Sequence, residues 1–137
     1  MKAAFREIEL STDARRKLID ITGQIEKIVR ESKVEKGICL VHSLHSTTAI
    51  IINEHEIGLM DDILHKIADD YPQGIGWRHD RIDDNADAHL ASVFIGSSKT
   101  LPVKAGRLER GTWQSIFFVE LDGPRVARRV VVEVLGE

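Results

Sequence analysis

The chain has 137 residues, 42% hydrophobic and 30% charged, with a net charge of −3 and one cysteine. That size and balance fit one globular domain over residues 1–137, able to bury a core without a disulfide or metal staple. They exclude an overall basic field for nucleic acid, an intrachain disulfide, and any apolar stretch near the ~20 residues of a membrane helix; with charges at Lys2, Arg6 and Glu7 in place of a signal-peptide core, a cytoplasmic protein without membrane contact is expected.

In chain order, Ala3–Leu10 alternates as a strand and Ala14–Ile21 reads as a second. Thr22 is placed to cap a helix through Ser32, with Ile25, Ile28 and Val29 on one face. Gly37–His42 is a continuous apolar run, as in a strand buried on both faces, and Cys39 inside it reads as a buried core thiol. Thr47–Ile52 is a β-branched strand. Asn53 and Glu56 have the spacing of a capping box, opening a helix to Tyr71 with Ile57, Met60, Leu64, Ile67 and Tyr71 inward. Pro72 through Asp84 is a loop. Asn85 caps a short helix with Leu90, Val93 and Phe94 inward, closed by Gly96. Leu101–Val103 is a short strand, and Thr112–Leu121 and Val126–Leu135 are the clearest strands, with a hairpin signal at Asp122-Gly123 between them. Strands interrupted by helices predict an α+β fold: a single compact domain with a largely antiparallel mixed sheet and helices packed against it. Several strands have few polar residues on either side, which suggests a face covered in an oligomer.

Two polar clusters carry candidate chemistry. One is His45-Ser46-Thr47-Thr48 followed by Asn53-Glu54; the other runs from His79 through Asp83-Asp84-Asn85-Ala86-Asp87 to His89. Imidazole serves both metal ligation and proton transfer near neutral pH, and neighbouring carboxylates and amides supply its supporting partners. In a strand, His45, Thr47 and Asn53 share one face. The alternative is a turn histidine bonded to backbone, and for the second cluster a solvated loop that caps a helix. His42 lies on the opposite face from His45 and reads as structural. Three histidines with an open position would suit a catalytic zinc, although no short ligand pair such as H-E-x-x-H occurs. Asp61 with His65 and Asp62 with Lys66 are spaced as surface pairs on the second helix. Gly96-Ser97-Ser98-Lys99-Thr100 lacks the first glycine of a phosphate loop. Gly106-Arg107 through Gly111-Thr112-Trp113-Gln114 presents arginines able to fork onto oxyanions, and Glu120 is either a rim residue or a site carboxylate.

His45 with small hydroxyl residues, Asn53-Glu54, His79 with Asp84-Asn85 and Ala88-His89, Gly106-Arg107 with Gly111-Thr112-Trp113-Gln114, and Glu120-Leu121-Asp122-Gly123-Pro124-Arg125 occur here in one order and spacing. In these motifs, over nearly its whole length, the chain resembles the YjbQ-like family, also called the secondary thiamine-phosphate synthase family. One departure is Ser46-Thr47-Thr48 before Ala49, where the family often has Thr directly after the histidine. The resemblance implies a compact homotrimer with His45, His79 and His89 around a divalent metal (zinc or magnesium) or an anion, near a subunit boundary. It implies thiamine-phosphate formation from hydroxymethylpyrimidine diphosphate and a thiazole phosphate, as a main or secondary activity. His45, Glu54, His89 and Glu120 are then the expected catalytic groups. Thr47, Asn53, Asn85, Lys104, Arg107 and Gln114 are the expected contacts to a small phosphorylated substrate, with Arg110 beside them. Two rivals stand: a metal-dependent hydrolase with Glu54 or Glu120 as base, and a non-catalytic trimer that binds a metal or anion.

Overall fold

The computed structural model describes all 137 residues, Met1–Glu137. Its elements are β1 (Lys2–Thr12), β2 (Lys17–Asp20), α1 (Thr22–Ser32), β3 (Lys36–Ser43), β4 (Thr48–Asn53), α2 (Ile57–Asp70), α3 (Ala86–Ile95), β5 (Ser98–Lys104), β6 (Arg107–Leu108), β7 (Ser115–Glu120) and β8 (Arg125–Gly136). One 3-10 turn, Arg78–Arg81, lies in the connection before α3. Every ladder is antiparallel, and the α+β class holds. The strands divide into two sheets, ordered β1-β8-β3-β5-β6 and β2-β7-β4.

That division corrects the expected hairpin. β7 pairs with β2 and β4, while β8 pairs with β1 and β3, so Asp122-Gly123-Pro124 carries the chain between sheets. The physical reason lies in β7. Ile116 through Leu121 are all at 0% exposure, so this strand needs apolar cover on both faces, which only a middle layer provides. On one side Ile50, Ile116 and Phe118 meet Cys39, Val41, Val130, Val132 and Val134 of the larger sheet, with Ile25 and Val29 of α1. On the other, Ala49, Phe117 and Val119 meet Ile67 of α2 and Ala88 and Ala91 of α3. The fold is thus a five-stranded sheet, a three-stranded sheet and a layer made by α2 and α3, with α1 packed on the side of the larger sheet.

Several local expectations are revised by this packing. In α3 the buried residues are Ala86, Asp87, Ala88, Ala91 and Ser92, whereas Val93 and Phe94 are 72% and 71% exposed. Small side chains let α3 lie close on β4, and Phe94 stacks outside on Tyr71. Ile57 is likewise exposed at the start of α2. That helix is capped by Glu56, whose carboxylate accepts from Gly58 N and Leu59 N at 2.6 and 2.9 Å; Asn53 accepts instead from Glu54 N. The cap of α1 also shifts: Asp20 accepts from Thr22 N, and the Thr22 hydroxyl ties α1 to β7 by accepting from Ile116 N. On α2 the side-chain pairs run forward, His65 beside Asp69 and Lys66 in an ion pair with Asp70. β3 is buried on one face only: Cys39 and Val41 point inward and Ile38 is 47% exposed. No helix is long and apolar enough to cross a membrane.

Candidate functional site

One glycine sets the site end of the molecule. A Cβ on Gly123 would lie 2.0 Å from the Ala14 carbonyl oxygen, so only glycine lets the β1–β2 connection rest on the β7–β8 turn. The Gly123 N–H donates to the Arg15 carbonyl at 3.0 Å. This contact delivers Arg15 and Arg16 to two buried carboxylates. Arg15 donates to Asp122 Oδ1 at 3.2 Å and to Asp87 Oδ1 at 3.0 Å, and Arg16 donates to Asp87 Oδ2 at 2.6 Å. Asp87 is 1% exposed; it fastens α3 to the small sheet's edge, with one arginine on each of its oxygens.

Asp122 passes this order on to the histidines. Its Oδ2 accepts from Asn85 Nδ2 at 2.8 Å and from Arg125 at 3.0 Å. The Asn85 amide is thereby oriented with Oδ1 toward His79 Nε2, 3.2 Å away. An amide oxygen accepts only, so His79 donates its Nε2 proton to it. The first N–H of α3, at Ala86, is satisfied by Asp80 Oδ1 at 3.0 Å, which releases Asn85 from the capping duty its position suggests. The His79 and His89 rings meet edge to face with centroids 4.8 Å apart. Both line a cleft of about 470 Å³ together with Trp77, Arg78, Ala86 and Leu90. An indole, a guanidinium and two imidazoles make a wall that can stack on a planar ring and hold an anionic group.

His45 stands apart from that pair. Its Nε2 accepts from the Arg129 backbone N–H at 2.8 Å, so the proton sits on Nδ1. Burial, and then the charges of Arg128 and Arg129, hold its pKa below the ordinary histidine value, and the ring is neutral at pH 7. Thr47 accepts from Arg128 at 3.0 Å. Glu120 is the acceptor for Arg128 Nε at 2.9 Å, Arg128 NH2 at 2.6 Å, Thr12 at 2.7 Å, and the N–H groups of Leu121 and Asp122 at 3.0 and 3.1 Å. Burial would raise the Glu120 pKa, but the hydrogen bonds from Arg128, Thr12 and Asp122 outweigh it and keep the carboxyl below the usual range. With five donors on two oxygens, its lone pairs are occupied. Within one chain, no three histidine, cysteine or carboxylate side chains gather as a metal-binding set: His79 and His89 come together, and His45 does not join them.

The remaining expected site residues lie at the other end of the strands. β7 runs from Ser115, opposite Asn53, to Glu120, opposite Thr48. Five residues at about 3.4 Å each separate these ends by roughly 17 Å. Asn53, Glu54 and Gln114 therefore sit far from Glu120 and Thr47. Gln114 holds its own loop by accepting from Gly111 N at 2.8 Å. Lys104 and Arg107 pair in register beside Lys36, at the start of β3 and remote from His45 beyond its end. Arg110 is clamped by Glu26 at 2.7 Å. The sequence reading missed Trp77 and Arg78, although they adjoin His79, and missed the clamp of Arg15, Arg16, Asp122, Arg125 and Arg128. No local signal ties Arg16 to Asp87, 71 positions away.

A family model described as UPF0047 protein YjbQ-like matches residues 6–137. A UPF0047 protein of Archaeoglobus fulgidus is 50% identical over 129 residues, covering 94% of this chain and 99% of that one. The UPF0047 protein YugU of Bacillus subtilis is 33% identical over 135 residues, covering 96% and 98%. Among solved structures, a YbjQ-like protein of unknown function from Sulfolobus solfataricus superposes with a TM-score of 0.98 at 52% identity, covering 99% of each chain.

Proposed function

Since the chain belongs to the UPF0047, YjbQ-like family, we propose that it is a transferase of the thiamine-phosphate synthase type, acting at the His79–His89 cleft. The observation that carries this reading is the cleft itself: two imidazoles edge to face, with an indole, an arginine and a leucine in about 470 Å³. Its volume lies in the range of small-molecule sites. In this reading the Trp77 and Leu90 surfaces hold a pyrimidine or thiazole ring, and Arg78 holds a phosphate. The thiazole nitrogen attacks the methylene carbon of hydroxymethylpyrimidine diphosphate. The new C–N bond forms as the C–O bond breaks, and that electron pair leaves on pyrophosphate. Arg78 stabilises the departing charge.

A divalent metal is part of the family expectation. One chain offers the His79 and His89 rings and no third donor beside them, so a three-histidine site does not fit within a single subunit and no step is assigned to a metal. Assembly as a homotrimer belongs to the same proposal. What supports it is the uncovered outer face of the larger sheet, where Ala3, Leu135, Ile38 and Pro102 stand directly opposite one another across four strands. Sedimentation equilibrium at micromolar concentration should give the mass of three chains, and a monomeric mass contradicts the assembly.

The activity is tested by pyrophosphate release from the purified protein given both precursors, with and without Mg²⁺, beside His89→Ala and Arg78→Gln. The expected result is release that requires both precursors and falls at least tenfold in each variant. Release from one precursor alone would replace the transferase with a hydrolase. Tight ligand binding without turnover would make the cleft a binding site only.

A further inference from the structure

A second concavity lies where α1 meets the end strand of the larger sheet. Glu26 and Arg30 of α1 and Arg107 and Leu108 of β6 line about 290 Å³. Glu26 is neutralised by Arg110, which donates Nε to a carboxylate oxygen at 2.8 Å, holds NH2 at 2.7 Å from the same oxygen as an ion pair, and donates NH1 to the Gln114 carbonyl at 2.7 Å. Arg30 and Arg107 form no ion pair anywhere in the chain. The wall therefore carries two uncompensated guanidiniums.

The surrounding register makes this charge harder to treat as an ordinary solvated face. Arg107 stands directly opposite Lys104, and Lys104 directly opposite Lys36. Like charges in direct register on neighbouring strands repel, and here three follow in one row at the corner of a sheet. Glu35 lies against Gly106 and Glu109 comes directly after β6, yet neither reaches Arg30 or Arg107 as an ion pair. Arg30 alone is accounted for by the last turn of α1, where the helix dipole favours a cation. Arg107 has no such account.

We propose that this cavity binds the phosphate group of a small phosphorylated molecule, with Arg30 and Arg107 forking onto its oxygens and Leu108 packing beneath it. Guanidinium forks suit the geometry of phosphate, and the cavity is at the small end of ligand-sized clefts. It shares no residue with the His79–His89 cleft and lies toward the opposite end of β3, whose seven steps from Lys36 to Ser43 span roughly 23 Å. The inference stands whether or not the transferase reading does.

The test is titration of the full-length protein with inorganic phosphate at constant ionic strength, followed by backbone amide shifts in NMR. Saturable shifts at Arg30, Arg107 and Leu108 are expected, with affinity weakened about tenfold or more in Arg107→Gln and in Arg30→Gln. Arg107→Lys should retain part of it, and His89→Ala should leave it unchanged. Both arginines are exposed, so these variants should melt as the parent does. Shifts that rise linearly without saturating would overturn the proposal. So would an unchanged affinity in Arg107→Gln, saturable shifts confined to the histidine cleft, or tighter binding of citrate than of phosphate.

Discussion

Replacing Glu120 by Gln should cost this protein much of its stability, and the size of the loss follows from the geometry. Glu120 is fully buried and Arg128 nearly so, with side-chain exposures of 0% and 6%. Each carboxylate oxygen receives donors only: Thr12 and Arg128 Nε on Oε1, and Arg128 NH2, Leu121 N and Asp122 N on Oε2. An amide NH2 placed at either position faces those donors with a donor. On the Oε1 side Thr12 can accept from the amide only by turning away the proton it now gives to Glu120, which then loses its acceptor. The guanidinium is also left buried without its counter-charge. Breaking one partner of such a pair costs about 3–5 kcal/mol, which for a chain of this length lowers the melting temperature by roughly 10–17 °C. Urea unfolding followed by circular dichroism measures it. The double variant Glu120→Leu with Arg128→Met should lose less than the single one, since no charge is stranded. The acid limb offers a second check. The folded-state pKa of Glu120 is depressed, so its contribution is complete above the unfolded value near ~4.3 and is lost as pH falls through the lower folded value. Glu120→Gln should flatten that limb. A loss below about 1 kcal/mol, the worth of a solvated pair, would refute the reasoning. A variant that is fully stable yet inactive would put Glu120 back into the chemistry.

Three further outcomes are expected. Gly123→Ala drives a methyl group into the Ala14 carbonyl at 2.0 Å; the β1–β2 connection must then detach, with a loss of several kcal/mol, on the order of ~3 or more, visible as early urea unfolding. In an NMR pH titration His45 should take up its proton below the ordinary histidine range. Its depressed pKa adds stability above the unfolded value near ~6.5 that is lost as pH falls toward the folded one, and His45→Gln should remove that pH dependence. Asn85→Ala removes the acceptor that places the His79 proton on Nε2; imidazole nitrogen shifts should change from a single Nε2–H tautomer to a mixture, and an unchanged tautomer would show that Asn85 does not orient the ring.

Much of the architecture was legible along the chain. Local periodicity marks β1, β3, β4, β7 and β8 within a residue or three of their observed ends, because alternation and apolar runs record which faces meet the core. The same signal could not say which sheet a strand joins. Asp122-Gly123 reads as a hairpin from its neighbours alone, and only the demand of β7 for cover on both faces sends β8 to the other sheet. In α3 the larger apolar residues look like the buried face, but close approach to β4 selects Ala88, Ala91 and Ser92 instead, a steric choice made by the partner strand.

The candidate site divides along the same line. Residue chemistry and spacing brought out the cluster from His79 to His89, and the order of motifs identified the family. These are properties of residue type and local distance, which a sequence carries directly. Tertiary structure alone decided that His79 and His89 share a cleft with Trp77 and Arg78, and that His45 turns to the Arg129 N–H. It also decided that Glu120 is held by Arg128, and that Arg107 and Lys104 stand at the far end of the larger sheet. Those outcomes depend on strand register and on contacts between positions as far apart in sequence as Thr12 and Glu120, set by where the buried faces of two sheets and three helices fit together.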